Sequence, residues 1–169
     1  MAKPNSTDYP EYFGRYINQV VENDLIEAFK NQSQVIPQFL KSVSEQKSMH
    51  TYAEGKWTIK ELLQHVIDAE RIFNYRALCI ARKETASLPS FDENIYAENS
   101  HANSRDWQSL VVEFLNLRPS TEDLYSSFNA EMLWQKGISN EKSISVLSLG
   151  FITVGHFNHH KKIIEERYL

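Results

Sequence analysis

Glycine is scarce in this chain, with five in 169 residues and no Asn-Gly or Asp-Gly pair. Tight β-hairpins draw on such residues because their two-residue turns need positive φ. An all-β fold therefore has few places to turn, and the apolar spacing points to helices instead. A first helix is predicted roughly over Glu22–Gln46, where Leu25, Phe29, Ile36, Phe39, Leu40 and Val43 recur every three or four residues. Pro37 falls inside it and is expected to kink or split it. The second helix has the clearest start. In "WTIKELLQHV", Thr58 and Glu61 make a capping box and Trp57 can staple onto Leu62. Leu62, Val66, Ala69, Ile72, Phe73 and Ile80 then share one stripe, which fades near Lys83.

A third helix is predicted from about Ser104, through Trp107, Leu110, Val111, Phe114 and Leu117, to Phe128. Pro119 is expected to interrupt it, with Ser120 and Asp123 recapping the second half. The fourth opens near Ser143 and runs to the end with Val146, Leu149, Ile152, Thr153, Ile163 and Ile164 inward. Four amphipathic helices, with no repeat or low-complexity tract, predict an all-α fold: a four-helix bundle in one domain over residues 1–169. The aperiodic stretch "ETASLPSFDENIYAENSHAN" joins helices two and three. Extended at ~3.3 Å per residue, it can run the ~40 Å of a neighbouring helix, so these two helices are free to be parallel.

Eighteen Lys and Arg against 22 Asp and Glu give a formal charge of −4. No basic stripe is present to displace counterions from phosphates, so nucleic acid is not an expected partner. Cys79 stands alone and can form no intrachain disulfide, which fits a reducing, cytoplasmic setting. The start "MAKPNSTDYP" has no apolar signal region, and no stretch approaches the ~18 apolar residues of a membrane span.

Chemistry concentrates in "GHFNHHKKIIEERYL", which holds His156, His159 and His160. At ~100° per residue, His160 lies ~40° around the helix from His156 and one turn on, both on the inward stripe. His159 lies nearer the stripe's edge, and a His156/His159 pair is the alternative arrangement. An i, i+4 histidine pair presents two imidazoles to one ion, as in HExxH helices, although Phe157 here stands where that motif carries its glutamate. His65 shares the inward stripe of helix two and is the candidate third ligand. Three neutral imidazoles suit a zinc- or nickel-type divalent ion with a position open to water or a thiol. A ferritin-like di-iron site does not fit, because neither His65 nor His156 has a Glu three residues before it.

The segments "KWTIKELLQHVIDAERIFNYR" and "SISVLSLGFITVGHFNHHKKIIEERYL", with "FDE" in the connection, resemble the DinB-like superfamily of metal-binding four-helix bundles. The likeness runs from about Tyr12 to Leu169. By position it implies His65, His156 and His160 as metal ligands, an up-down-down-up bundle and a homodimer. The activity it implies is that of a metal-dependent thiol S-transferase or hydrolase acting on a small-molecule substrate, with a low-molecular-weight thiol as co-substrate in the first case. Pro37 and Pro119 depart from uninterrupted family helices. The alternative is a non-catalytic bundle with a structural metal or none, acting through dimerisation or partner binding.

Other polar residues carry weaker expectations. Asp68, one turn from His65, is the candidate acid/base group, or it orients a histidine. Asp92 and Glu93 in the long connection are placed to fold over an open site. Arg76 shares the His65 stripe ~16 Å further along and is expected to pair with a buried acid, Glu113 or Asp92. Glu70 lies ~140° around from His65, away from any ion, and Cys79 is read as a small core residue.

Overall fold

The computed structural model describes residues 2–169. A 3₁₀ turn at Glu11–Phe13 leads into helix α1 (Gly14–Ile17), followed by α2 (Leu25–Lys41), α3 (Glu45–Ser48) and α4 (Ile59–Ala81). After α5 (Glu93–Asn99) and a second 3₁₀ turn at Ala102–Ser104 come α6 (Trp107–Ser126) and α7 (Ala130–Trp134). A hairpin of β1 (Lys136–Ser139) and β2 (Lys142–Ser145) then precedes α8 (Val146–Arg167). The long helices α2, α4, α6 and α8 form the bundle.

Side-chain partners fix the helix directions. Along α4, Gln64, Glu70 and Asn74 meet Arg105, Arg118 and Thr121 in ascending order, so α4 and α6 are parallel. On α2, Gln32 bonds Asn158 and Phe39 packs edge-on to Phe157, while Leu25 faces Gly150, so α2 and α8 are also parallel. Tyr168, just past α8, donates to the carbonyl of Trp57, just before α4, which sets α4 and α8 antiparallel. The order is therefore up-down-down-up, and the α4–α6 connection is the long crossover that parallel helices require.

Two apolar clusters fill the bundle. One holds Phe29, Phe73, Leu147 and Phe151. The other holds Ile36, Leu63, Phe114 and Phe157. Between them lies a polar layer drawn from all four long helices. The guanidinium of Arg118 donates to both carboxylate oxygens of Glu70, at 3.1 and 2.8 Å, and to the side-chain oxygen of Gln32. Gln32 in turn donates to the Val154 carbonyl and to Asn158. Thr121 donates to Glu70 at 2.6 Å and accepts from Asn74.

Three expectations about helix limits need correction. Neither Pro37 nor Pro119 splits its helix, as α2 and α6 each continue through the proline without a break. Each proline removes one backbone donor. Pro119 is exposed, so water can serve the carbonyl left on that face, while buried neighbours such as Ile36, Phe39 and Leu40 hold α2 in place. The third correction is the start of α8. Residues 143–145 belong to β2, and Ser145 caps the helix by accepting from the Ser148 N–H.

That hairpin turns without glycine. Asn140 and Glu141 take φ of 49° and 61°, the left-handed pair of a two-residue hairpin loop, with Ser139 facing Lys142. Asparagine tolerates this conformation and glutamate does so poorly, at a cost of about 1–2 kcal/mol. Glycine would relieve that cost at an entropic penalty of about 0.5–1 kcal/mol. Glu141→Gly is therefore expected to raise the unfolding free energy by about 0.5–1 kcal/mol, read as a shifted urea midpoint at unchanged slope.

Candidate metal centre

The site is assembled by the two antiparallel helices α4 and α8. Thr58 accepts from the Glu61 N–H and Glu61 accepts from the Thr58 N–H, which fixes where α4 begins and which face it turns inward. His65 then projects from that face towards α8, where His156 and His160 stand one turn apart. The Nε2 atoms of His65 and His160 lie 3.0 and 3.1 Å from Nε2 of His156, and the three donor atoms all fall within 4.8 Å of one another. A tetrahedral ion at ~2.0–2.1 Å from each nitrogen would hold them ~3.3 Å apart.

The donor chemistry fits a cation. His65 and His160 are each 9 % exposed and His156 is 5 % exposed. Burial, followed by the charge of His159, pulls the pKa of His65 down to about 4. Burial and the neighbouring histidines hold His156 and His160 well below the usual imidazole range. All three rings are thus neutral at physiological pH, each with one nitrogen lone pair to offer. The Nδ1 atom of His160 is buried with no protein partner. Nothing in the protein accepts from Nδ1, so the tautomer depends on what Nε2 meets, and an ion taking the Nε2 lone pair would leave the proton on Nδ1.

Around the histidines the walls are aromatic. Trp57 lies 5.0 Å from the His65 ring, and Tyr16 and Phe73 meet His156 edge-on at 5.1 and 5.8 Å. Tyr16 comes from α1, a segment without a sequence signature. It sits there because Gly155 lets the Tyr16 backbone lie against α8, and a Cβ on Gly155 would stand 2.1 Å from the Tyr16 carbonyl oxygen. Beside the histidines opens a cavity of about 540 Å³. The β-hairpin helps to roof it. Leu88, in the long connection, bonds the backbone of Ile138 and Asn140, while Asp8 accepts from the N–H of Ser145 and pairs with Lys136 at 2.8 Å.

The other candidates fall elsewhere. His159 is half-buried outside the cluster, and Gln19 donates to its Nδ1 at 3.2 Å. Asp68 does not join the histidines. It accepts from Gln64 and lines a separate cleft with Arg71, Ile95 and Tyr96, where burial raises its pKa. Asp92 caps α5 by accepting from the N–H groups of Asn94 and Ile95, and Glu93 reaches the cavity rim. Arg76 pairs with neither acid named for it. Asp92 is engaged at its cap, and Glu113 lies level with Arg71 and Arg105, which bind it at 2.7 and 2.5 Å. The buried acid that does hold an arginine is Glu70, through Arg118. The spacing of Leu110, Phe114, Arg118, Thr121 and Tyr125 already put Arg118 on the inward face of α6.

Among the described residues no helix is long and apolar enough to cross a membrane. The sequence matches no curated protein. Among solved structures it is similar to YfiT from Bacillus subtilis, described as "a probable metal-dependent hydrolase with an unusual four-helix bundle topology". That likeness covers 97% of this chain and 90% of the other at 17% identity, with a TM-score of 0.74, and it is a likeness of fold. The family model of the DinB superfamily matches residues 28–164, a span that holds all three clustered histidines and all four bundle helices save the first three residues of α2 and the last three of α8. The chain belongs to the DinB superfamily.

Proposed function

We propose that this protein is a metal-dependent enzyme acting on a small molecule, with His65, His156 and His160 holding a divalent ion, zinc or nickel. The observation that carries the reading is the convergence of three neutral Nε2 donors at the wall of a cavity large enough for a substrate. Among the described residues no fourth His, Cys, Asp or Glu joins the cluster. A structural zinc normally takes four protein ligands, so a three-donor site facing a cavity favours catalysis over a purely structural role. A divalent ion held there supplies Lewis acidity to the nucleophile at its remaining position.

The protein's own groups shape what that nucleophile can be. Trp57, Tyr16 and Phe73 wall the histidine end with aromatic surface, which lowers the local polarity and strengthens electrostatic interactions beside it. Tyr16, whose phenol is protonated at neutral pH, lines the cavity with its hydroxyl 3.5 Å from that of Tyr12 and can donate a hydrogen bond there. Asp68 faces another cleft and Glu93 reaches only the rim, so no carboxylate stands beside the histidines to take a proton from water. That arrangement favours thiol S-transfer, because a thiol is acidic enough to ionise there without a base. The likeness to YfiT supports hydrolysis as the second reading.

Elemental analysis of untagged protein purified without chelator tests the centre. About one divalent ion per chain is expected in the wild type, with loss in His65→Ala and in His160→Ala at unchanged helical circular dichroism. An ion retained in both variants, or none taken up after incubation with zinc or nickel, would refute the reading. Screening loaded protein for cysteine transfer to an aryl halide, against hydrolysis of aryl esters, then separates the two reactions.

A further inference from the structure

The histidines occupy one end of the cavity, and the opposite end has a different character. On α4, positions 65, 69, 73 and 76 recur at three- and four-residue spacing, and all four side chains line the cavity. Successive turns thus present a donor (His65), a small gap (Ala69), an aromatic wall (Phe73) and a cation (Arg76). Arg76 is 6 % exposed. Its guanidinium carries five N–H groups, and among the described residues its one hydrogen bond is from Nη2 to the Pro89 carbonyl at 2.7 Å. The Phe91 ring lies 5.8 Å from its Cζ.

No carboxylate lies within ion-pair distance of Arg76 among the described residues, whereas the other buried arginine, Arg118, is gripped at both forks by Glu70. An arginine taken out of water without a counter-charge is unfavourable unless something supplies one, and burial accordingly draws the Arg76 pKa down. Lys142, exposed at the hairpin, adds a second positive charge to the lining of the same cavity. Glu93 is the one carboxylate on the lining, exposed and outside pairing distance of Arg76, so two cations face a single acid.

We infer that Arg76, with Lys142 on the same cavity lining, is an anion subsite, so the substrate carries a carboxylate or phosphate separated by an apolar body from the group that meets the three histidines. The inference rests on the proposed function for the role of the histidine end. The Pro89 carbonyl orients the planar guanidinium, leaving its remaining N–H groups for an oxyanion in two-point contact. Phe13, Phe73 and Ala69 supply the apolar stretch between the two ends. The Cα atoms of His65 and Arg76 stand ~16 Å apart along the helix, so the fit depends on substrate length.

The test is calorimetric titration of zinc-treated full-length protein with ω-phenylalkanoates of graded length, against their primary amides and matching phosphonates. At the best length the acid is expected to bind about ten-fold tighter than its amide, or more. Arg76→Gln should abolish that preference and Arg76→Lys should restore part of it. Acid and amide binding alike, no acid binding, or a preference surviving in Arg76→Gln would each overturn the subsite. Tighter phosphonate binding assigns a phosphate-bearing substrate and weaker binding a carboxylate, and the subsite stands in both cases. Metal content of the same samples is read separately. A metal-free protein that still prefers acid to amide would refute the metal reading and keep the subsite.

Discussion

Glu70→Gln and Arg118→Met are each expected to lower the unfolding free energy by about 3–5 kcal/mol, because each leaves one charge buried without its partner. Both side chains are only 2 % exposed, and the pair is bidentate. Phe114, Phe29 and Phe157 ring the guanidinium at 5.2, 5.6 and 5.8 Å from its Cζ, which leaves water little room to replace a lost carboxylate. Arg118→Met would also deprive the Gln32 side-chain oxygen of its donor. Against a total stability of about 5–15 kcal/mol, the loss should lower the melting temperature by roughly 10 °C or more. The double variant Glu70→Leu/Arg118→Met should recover much of it, since no unpaired charge remains. Thermal and urea unfolding of the three variants reads this directly. Single variants within about 1 kcal/mol of the wild type would show that the layer is hydrated.

Gly155→Ala is expected to damage the protein through one contact. The added Cβ would meet the Tyr16 backbone oxygen at 2.1 Å, and backbone cannot swing aside as a flexible side chain can. Either α1 lifts from α8 or the helix shifts, and overpacking of this kind costs about 1–3 kcal/mol, occasionally more. Lifting α1 exposes Tyr16, Ile17 and Val20, all buried now, and uncovers the ring of His156. The measurement is hydrogen exchange. Amides of residues 14–20 should lose protection by a factor of about 10 or more, while those of α6 should change little. Equal loss across the bundle would place the damage in α8 itself.

These two positions mark what the sequence made legible and what it did not. The histidine cluster was readable because all three side chains sit on inward stripes, and a helix's period carries that information along the chain. The parallel placement of α4 and α6 was permitted by the length of their connection. Gly155 could not be read as a docking point, since its reason is the backbone of a segment some 140 residues away. The hairpin escaped because its turn uses Asn140 and Glu141, a pair outside the usual glycine-bearing signature. Arg76 was correctly placed on the face of His65 but given the wrong partner. Periodicity reports which way a side chain points, and the level of a neighbouring helix depends on loops that it does not describe. The polar layer escaped for the same reason: Gln32 and Arg118 fall on inward faces, but nothing along the chain sets them at one level.

The helix order also dictates how the chain must come together in time. In an up-and-down bundle each hairpin forms from neighbours in sequence, whereas here α4 lies parallel to α6 and α2 parallel to α8, so local hairpins do not prefigure the final packing. The contact that joins His65 to His156 closes 91 residues of chain. Loop closure over such spans must precede the contacts that reward it, so refolding should be slower than for an up-and-down bundle of equal length. The centre would then be among the last features to appear, with α8 seating against α2 and α4 after α6 has docked. A destabilised α8 would leave a helix-rich intermediate that lacks the whole three-histidine site.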